Sequence, residues 1–245
     1  VERHLETDIL DAILAGGLAT RIRPITDKIP KALIPIRGRP FVDYQLELLA
    51  GMNLSRVVLC TGYKGEMIED HVGDGSAFGV SVQYSHDGET LLGTGGALKR
   101  ALPLLGDRFI VIYGDSYLDA DYRPIVEFFD TQSSASHRPQ ALMTVFRNEG
   151  LFDRSNVVFR GGRIIVYDKK QDHPEMNYID WGLGILHAGV FAPFSERSVF
   201  DLAELYGHVL SEGALLGYEV KQRFFEIGSV SGIEEFERHI ASRLP

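Results

Sequence analysis

The chain has 245 residues, 44% hydrophobic and 24% charged, an ordinary globular composition able to bury a core. Its net charge of −9 argues against general nucleic-acid binding, and its single cysteine, Cys60, excludes an internal disulfide and points to a reducing compartment. No apolar run reaches the length of a membrane span and the N-terminus shows no basic, apolar leader, so a cytoplasmic location away from membranes is expected.

Apolar runs bounded by turn residues predict strands at 9–14, 57–60, 80–84 and 109–113. Between and after them, helical periodicity predicts helices at 41–49, 65–71, 95–104 and 122–129. Strand alternating with helix gives an α/β fold with a mixed, mainly parallel central sheet flanked by helices. The rhythm then changes. Residues 141–147 read as a strand, and "NVVFRGGRIIVYD" reads as a hairpin, because Gly161-Gly162 suits a two-residue turn with positive φ. An apolar stretch follows at 181–191, then a helix at 199–210 and a strand in "GYEVKQRFFEIG". The closing "SGIEEFERHIASRL" predicts a helix opened by a Ser231/Glu234 capping box, with Ile233, Phe236, Ile240 and Leu244 on one apolar face. Residues 132–139 are the nearest thing to a flexible loop. No repeat or linker divides the chain, so a single domain over 1–245 is expected: a nucleotide-binding half at about 8–130 and a half for the second substrate at about 131–245.

The stretch "LAGGLATRIRPITDKIPKALIPI", 14–36, carries the strongest chemical signal. A buried strand that ends in Leu14, Ala15, Gly16 and Gly17 delivers its loop to the edge of the sheet where ligands of open α/β folds bind. Glycines let backbone N–H groups approach phosphate oxygens. Between 20 and 40 stand Arg21, Arg23, Lys28, Lys31, Arg37 and Arg39, against the single acid Asp27. A basic pocket in an acidic protein points to a small polyanion. Pro24, Pro30 and Pro35 stiffen the loop so that its cations are held in place. No Walker spacing is present. "LLGTGGALKRA" imitates a dinucleotide fingerprint but has Leu98 where the third glycine belongs, so Gly93, Thr94 and Gly95 read as a turn opening a helix, with N–H groups free for a phosphate or ribose.

Two acids stand at strand ends. Asp115 in "FIVIYGDSYL" is placed to hold Mg²⁺, a hard ion that prefers oxygen ligands, and Glu226 in "FFEIGS" is a second candidate. The eight histidines are scattered without zinc spacing, and no G-x-S-x-G is present. Trp181 reads as core, or as a wall of a sugar pocket.

Together these residues resemble the sugar-1-phosphate nucleotidylyltransferases, the NDP-sugar pyrophosphorylases, from about Asp8 to Leu244. That family opens with L-A-G-G-x-G-T-R-L-x-P-x-T-x-x-x-P-K; here the run is "LAGGLATRIRPITDKIPK", with Ala19 in place of the third glycine. The resemblance implies a Rossmann-like fold of the nucleotide-diphospho-sugar transferase type, with Arg21 and Lys31 as catalytic residues and "LLGTGGAL" as a nucleotide turn. Asp115 matches the metal ligand. Lys169 in "YDKK" resembles the sugar-phosphate lysine of an E-K-P motif, from which Asp168 and Lys170 depart. Glu226 stands where the family has a second metal aspartate. "GDSYLDADY" and "YIDWGLGIL" look most like bacterial heptose-1-phosphate guanylyltransferases, and less like muramic acid-phosphate uridylyltransferases or glucose-1-phosphate thymidylyltransferases.

The activity so implied joins an NTP to a sugar 1-phosphate and releases pyrophosphate, with Mg²⁺ as cofactor, for bacterial surface polysaccharide or glycoconjugate synthesis. Asn156 and Asp180 are candidates for sugar hydroxyl contacts. Glu89, just ahead of the glycine turn, is the candidate base reader; a carboxylate only accepts hydrogen bonds and so suits the adjacent N–H groups of guanine, which favours GTP. Transfer of another nucleotide, a phosphocholine-like substrate and a non-catalytic regulatory homologue are the alternatives. Monomer and homodimer are both compatible with the sequence.

Overall fold

The computed structural model describes residues 9–18, 20–132, 139–171, 173–195 and 198–243. The first half lays down β1 (Leu10–Leu14), α1 (Ile25–Lys28), the short strands β2 (Pro35–Ile36) and β3 (Arg39–Pro40), and α2 (Phe41–Gly51). It continues with β4 (Arg56–Thr61), α3 (Gly65–Val72), β5 (Ser81–His86), α4 (Gly93–Leu105), β6 (Arg108–Tyr113), β7 (Ser116–Tyr117) and α5 (Arg123–Gln132). The second half adds β8 (Ala141–Arg147), β9 (Val157–Arg160), β10 (Arg163–Tyr167), β11 (Tyr178–His187), α6 (Leu202–Ser211), β12 (Leu215–Val220), β13 (Phe225–Glu226) and α7 (Val230–Ala241).

A single nine-stranded sheet runs through both halves. β1 lies between β4 and β6, parallel to both, and β5 extends the parallel block beyond β4. β11 joins the far side of β6 antiparallel and carries β8, to which β12 pairs in parallel. Parallel strands end at one edge, so β1, β4 and β6 deliver the loops after Leu14, Thr61 and Tyr113 to the same place. Alternation along β1 builds the two core layers: Ile9 and Ile13 face one cluster, and Leu10, Ala12 and Leu14 the other. Asp11 is fully buried within this strand with no hydrogen-bond partner among the described residues, and burial pushes its carboxyl well above the usual range. A third cluster joins Ile22, Ile34 and Ile36 to Tyr117, Ile227, Phe236 and Ile240. It fastens α7 onto the basic segment.

Most predicted elements form within a few residues of their expected limits, but the single strand expected in "GYEVKQRFFEIG" is split into β12, on the main sheet, and β13, which pairs with β7 in a separate two-stranded sheet. Gly161 and Gly162 both take positive φ, 55° and 78°, and turn the β9–β10 hairpin as expected. The last helix corrects the sequence reading at its start. Ser229 is the N-cap and accepts the Gly232 N–H at 3.0 Å, so Ser231 lies inside α7. A capping box forms instead on α6, between Asp201 and Glu204. The helix expected over 199–210 therefore begins at Leu202, because Asp201 is its cap. Trp181 is core: it is buried, donates its indole N–H to the Gln222 carbonyl at 2.8 Å and meets Tyr122 edge-on. Ala19, Leu244 and most of the loop expected at 132–139 lie outside the described residues. No helix among the described residues is long and apolar enough to cross a membrane.

Candidate active site

A cavity of about 280 Å³ opens at the edge where β1, β4 and β6 end. Its lining takes in Leu14, Ala15, Gly16 and Gly17 after β1, Lys31, Tyr113 and Asp115, and Asp87, Gly93, Thr94 and Asp201. Glycines allow the strand ends to converge. A Cβ at Gly114 would stand 2.4 Å from the Leu14 carbonyl oxygen, and one at Gly62 2.9 Å from that of Gly16. Cys60 lines the cavity too, but burial and the nearby Asp87 push its thiol up to about 12, so it is not nucleophilic near neutral pH.

The predicted acids and cations meet at this edge. Asp115 follows β6, and Glu226 reaches it because β13 pairs antiparallel with β7, placing Glu226 opposite Ser116. Lys31 Nζ donates to Asp115 Oδ2 at 2.7 Å. Burial works against the Asp115 carboxylate, yet the charge and hydrogen bond of Lys31, a backbone hydrogen bond and the charge of Arg21 together outweigh it and hold the carboxyl below its usual range. Glu226 goes the other way. Burial first, then the charges of Asp115 and Asp153, raise its carboxyl, with Arg21 and Lys31 in partial opposition. Arg21 and Glu226 flank Gly228: a Cβ there would stand 3.1 Å from an Arg21 nitrogen and 3.6 Å from both Glu226 oxygens. Asp153, on the β8–β9 loop, was not singled out by the sequence reading.

The remaining cations of 20–40 do not join this pocket. Arg23 pairs with Asp27 at 3.3 Å, and Arg39 pairs with Glu47 at 2.5 Å and lies over the Tyr44 ring. The local charge excess is thus spread over a surface, and of its six cations Arg21 and Lys31 are the ones whose charges shift the two acids.

The glycine turn that opens α4 is packed differently from the expectation. Gly95 and Gly96 both donate their N–H groups to the Phe200 carbonyl, at 3.0 and 3.2 Å, and Thr94 Oγ1 accepts the Leu202 N–H at 2.8 Å. These amides are therefore already satisfied by the segment entering α6, and Gly95 is not part of the cavity wall. Its glycine is needed for packing, since a Cβ would fall 2.4 Å from the Phe200 ring. Glu89 lies on an exposed bend outside the wall, whereas buried Asp87, directly after β5, is in it. Asp87 Oδ2 accepts the Leu92 N–H at 3.1 Å, and burial raises its carboxyl. A carboxylate just past a strand end was the signal for Asp87, as it was for Asp115.

In the second half, Lys169 and Asp180 do come together, at 3.5 Å. Lys169 Nζ also reaches the Tyr113 hydroxyl at 3.1 Å and lies over the Tyr113 and Tyr167 rings. The Asp180 side chain is only 4% exposed. Its Oδ2 accepts from the hydroxyls of Tyr113 and Tyr167, each at 3.2 Å, and its Oδ1 from the Gly182 N–H at 3.0 Å. It is thus an internal acceptor beneath Lys169 rather than a free sugar contact. Asn156 Oδ1 accepts the Asp180 N–H at 2.9 Å, which ties it to the same network. Asp168 accepts the N–H groups of Lys170 and Gln171, closing the turn that presents Lys169.

Among the described residues no group of three or more histidine, cysteine, aspartate or glutamate side chains could hold a metal. Asp115 and Glu226 still fit Mg²⁺. Asp115 lines the cavity and Glu226 is near enough for the two carboxylates to repel, and this ion is commonly held by one or two carboxylates with phosphate oxygens and water.

The nucleotidyl transferase family model matches residues 11–199. The chain is 29% identical to an N-acetylmuramate α-1-phosphate uridylyltransferase of Neisseria meningitidis, over 91% of this chain and 94% of that protein. It is 32% identical to a D-glycero-α-D-manno-heptose 1-phosphate guanylyltransferase of Aneurinibacillus thermoaerophilus, over 88% and 91%. Its fold is similar to a crystal structure described as a glucose-1-phosphate thymidylyltransferase of Bacillus anthracis, with a TM-score of 0.82 and 23% identity, over 97% and 96% of the two chains.

Proposed function

The chain belongs to the nucleotidyl transferase family and is a sugar-1-phosphate nucleotidylyltransferase, and from that premise we propose that it transfers the guanylyl group of GTP to a heptose 1-phosphate. The reaction releases pyrophosphate and gives an NDP-sugar for surface polysaccharide or glycoconjugate synthesis. The observation that carries the site assignment is the meeting of Lys31 and Asp115, which line the cavity, with Arg21 and Glu226, which lie outside its lining but close enough for their charges to be felt.

Both substrates are polyanions, so mutual repulsion is the first barrier. Arg21 binds the outer phosphates and stabilises the departing pyrophosphate. Lys31 and Lys169 hold the sugar phosphate in line with the α-phosphorus, Lys31 from the Asp115 side and Lys169 from the Tyr113 side. A sugar phosphate is already ionised near neutral pH, so no general base and no covalent enzyme intermediate are required. Asp115 and Glu226 hold Mg²⁺, which when bound neutralises charge on the phosphates.

The choice of base rests on Asp87, which takes the role that the sequence gave to Glu89. Guanine offers N1–H and an exocyclic amine side by side to a carboxylate, whereas uracil and thymine offer one N–H. The choice of heptose rests on the similarity to the heptose enzyme. The similarity to the muramate enzyme favours UTP with an N-acylated sugar acid phosphate as the second reading. A pyrophosphate-release screen of four NTPs against heptose, mannose, glucose and N-acetylmuramic acid 1-phosphates tests the choice. GTP with a heptose 1-phosphate should give the highest kcat/KM; a higher value for UTP with muramic acid phosphate would replace this reading by the second.

A further inference from the structure

Gln45 is the buried amide of α2, and it points at the turn that carries Asp115. Its Nε2 donates to the Tyr113 carbonyl at 3.2 Å and to the Ser116 carbonyl at 2.9 Å, the two residues that bracket Gly114 and Asp115. Only an N–H group can face two carbonyl oxygens, so the orientation of the amide is fixed by its partners. Its other end is left over: Gln45 Oε1 is buried without a hydrogen-bond partner among the described residues. A buried acceptor with no donor destabilises the fold. The cost is offset at the other end, where the amide satisfies two carbonyls of one turn, and that turn is the one that carries Asp115.

The geometry around the turn agrees. Gly114 lies flush against β1, where its N–H reaches the Leu14 carbonyl at 3.1 Å. The Asp115 carbonyl accepts the Ile227 N–H at 3.0 Å, and its carboxylate accepts Lys31. The bond from Gln45 Nε2 ties the other side of the turn to α2. The same helix is tied to the Lys31 segment, because Phe41 at its start donates to the Ile34 carbonyl at 3.0 Å. One helix thus indexes both members of the Lys31–Asp115 pair.

We propose that Gln45 is a positioning residue for the reaction: it fixes the Tyr113–Ser116 turn so that the Asp115 carboxylate is held at the distance from Lys31 and Glu226 that the chemistry needs. This rests on the assignment of Asp115 to the metal and phosphate site. Misplacing a reacting group by about 1 Å costs on the order of 10²-fold in rate, so a clamp of two hydrogen bonds on this turn has a kinetic consequence out of proportion to its contribution to folding.

The test compares Gln45→Met, which keeps the volume and removes the donor, with Gln45→Glu, which keeps the shape, and with Asp115→Asn. Four readouts are needed: kcat, KM for the NTP, the thermal midpoint, and Mn²⁺ affinity measured by electron paramagnetic resonance without substrates. Gln45→Met should lower kcat ~10- to 100-fold and weaken Mn²⁺ binding while KM for the NTP stays close to wild type; the thermal midpoint falls as well, because two carbonyls lose their donor, and Mn²⁺ affinity measured on the folded variant separates the two effects. Gln45→Glu should lower kcat in the same way, which keeps the test open if the methionine variant does not fold. Wild-type kcat and Mn²⁺ affinity in either folded Gln45 variant, with Asp115→Asn inactive, would overturn the role of Gln45 alone. Normal turnover by Asp115→Asn would overturn the site assignment, and the positioning role with it.

Discussion

Ile227 donates its backbone N–H to the Asp115 carbonyl at 3.0 Å. That bond continues the β7–β13 ladder and sets Glu226 beside Asp115, two acids from opposite halves of the chain. Their proximity has opposite results. Asp115, against Lys31, stays ionised below the usual range, while Glu226 is raised by burial and by Asp115. A cation bound between the two carboxylates would relieve the strain on the Glu226 charge and would give the polyanionic substrates a positive partner.

Arg21→Ala and Lys31→Ala should each reduce kcat/KM by at least ~10²-fold, a few kcal/mol of transition-state stabilisation. The two differ in their pH profiles. Burial alone would raise the Asp115 carboxyl, and Lys31 is the largest influence opposing it. Without Lys31 the carboxyl protonates at higher pH, so the acidic limb of the kcat/KM profile should move upward in Lys31→Ala. Steady-state kinetics between pH 5 and 9 check this; an unmoved limb would show that Asp115 is not the group titrating there.

Lys169→Ala should raise KM for the sugar 1-phosphate and leave KM for the NTP unchanged. Asp180→Asn should act in the same direction but less, by ~5- to 10-fold, the scale of one charge-assisted hydrogen bond. An amide oxygen can still accept from a tyrosine, but the counter-charge under Lys169 is gone. Equal effects of Asp180→Asn on both Michaelis constants would mark a general loss of structure.

What the sequence made legible was local. Strand and helix periods, the Gly161-Gly162 turn and the loop that carries Arg21 and Lys31 each depend on neighbouring residues. What it hid depends on segments distant along the chain. Phe200 satisfies the amides of Gly95 and Gly96, and nothing near either stretch announces it. Asp180 reads as a free acid until β6 and β10 bring Tyr113 and Tyr167 to it. Ser229 and Ser231 are both suitable caps, and the packing of α7 against the Ile22–Ile36 segment accompanies the earlier one. Glu89 and Asp87 are two residues apart, and only the course of the bend after β5 decides which enters the cavity.

That decision yields a test of base recognition. Asp87→Asn should lower the preference for GTP over UTP, because an amide offers guanine one acceptor and adds a donor. Glu89→Gln should leave the preference intact, since Glu89 is exposed and outside the cavity wall. The ratio of kcat/KM values for GTP and UTP is the measurement, and the opposite pattern would restore Glu89 as the reader.

Asp11 provides a stability test away from the site. Its folded carboxyl is raised by burial, and no hydrogen bond among the described residues offsets this. Above the ordinary carboxylate range the unfolded chain releases this proton while the folded chain still holds it. Stability that is present below that range is therefore lost as pH rises towards the raised value. Asp11→Asn cannot ionise and should be more stable than wild type at pH 8 by at least ~1 kcal/mol, with the gain shrinking towards pH 5. Urea midpoints at the two values check the sign; a gain independent of pH would locate the effect in packing.

The metal assignment is tested by Glu226. Its carboxyl is raised, so some of its affinity for a cation must go into releasing a proton, and the metal requirement should rise as pH falls. Glu226→Gln removes the charge and should raise the Mg²⁺ concentration needed for half-maximal rate and lower kcat strongly. Glu226→Asp shortens the side chain by one methylene on a backbone fixed opposite Ser116. Mg²⁺ tolerates little error around its octahedron, with oxygens at about 2.0–2.1 Å, so this variant should have intermediate activity, partly rescued by Mn²⁺. Asp115→Asn should be at least as damaging as Glu226→Gln, because it also removes the partner of Lys31. Rate against metal concentration for the three variants, at pH 6.5 and 8, separates the roles. If Glu226→Gln follows the wild-type metal curve while Asp115→Asn is inactive, Glu226 is not a ligand, and Asp115 holds the ion with the nucleotide's own phosphates and water.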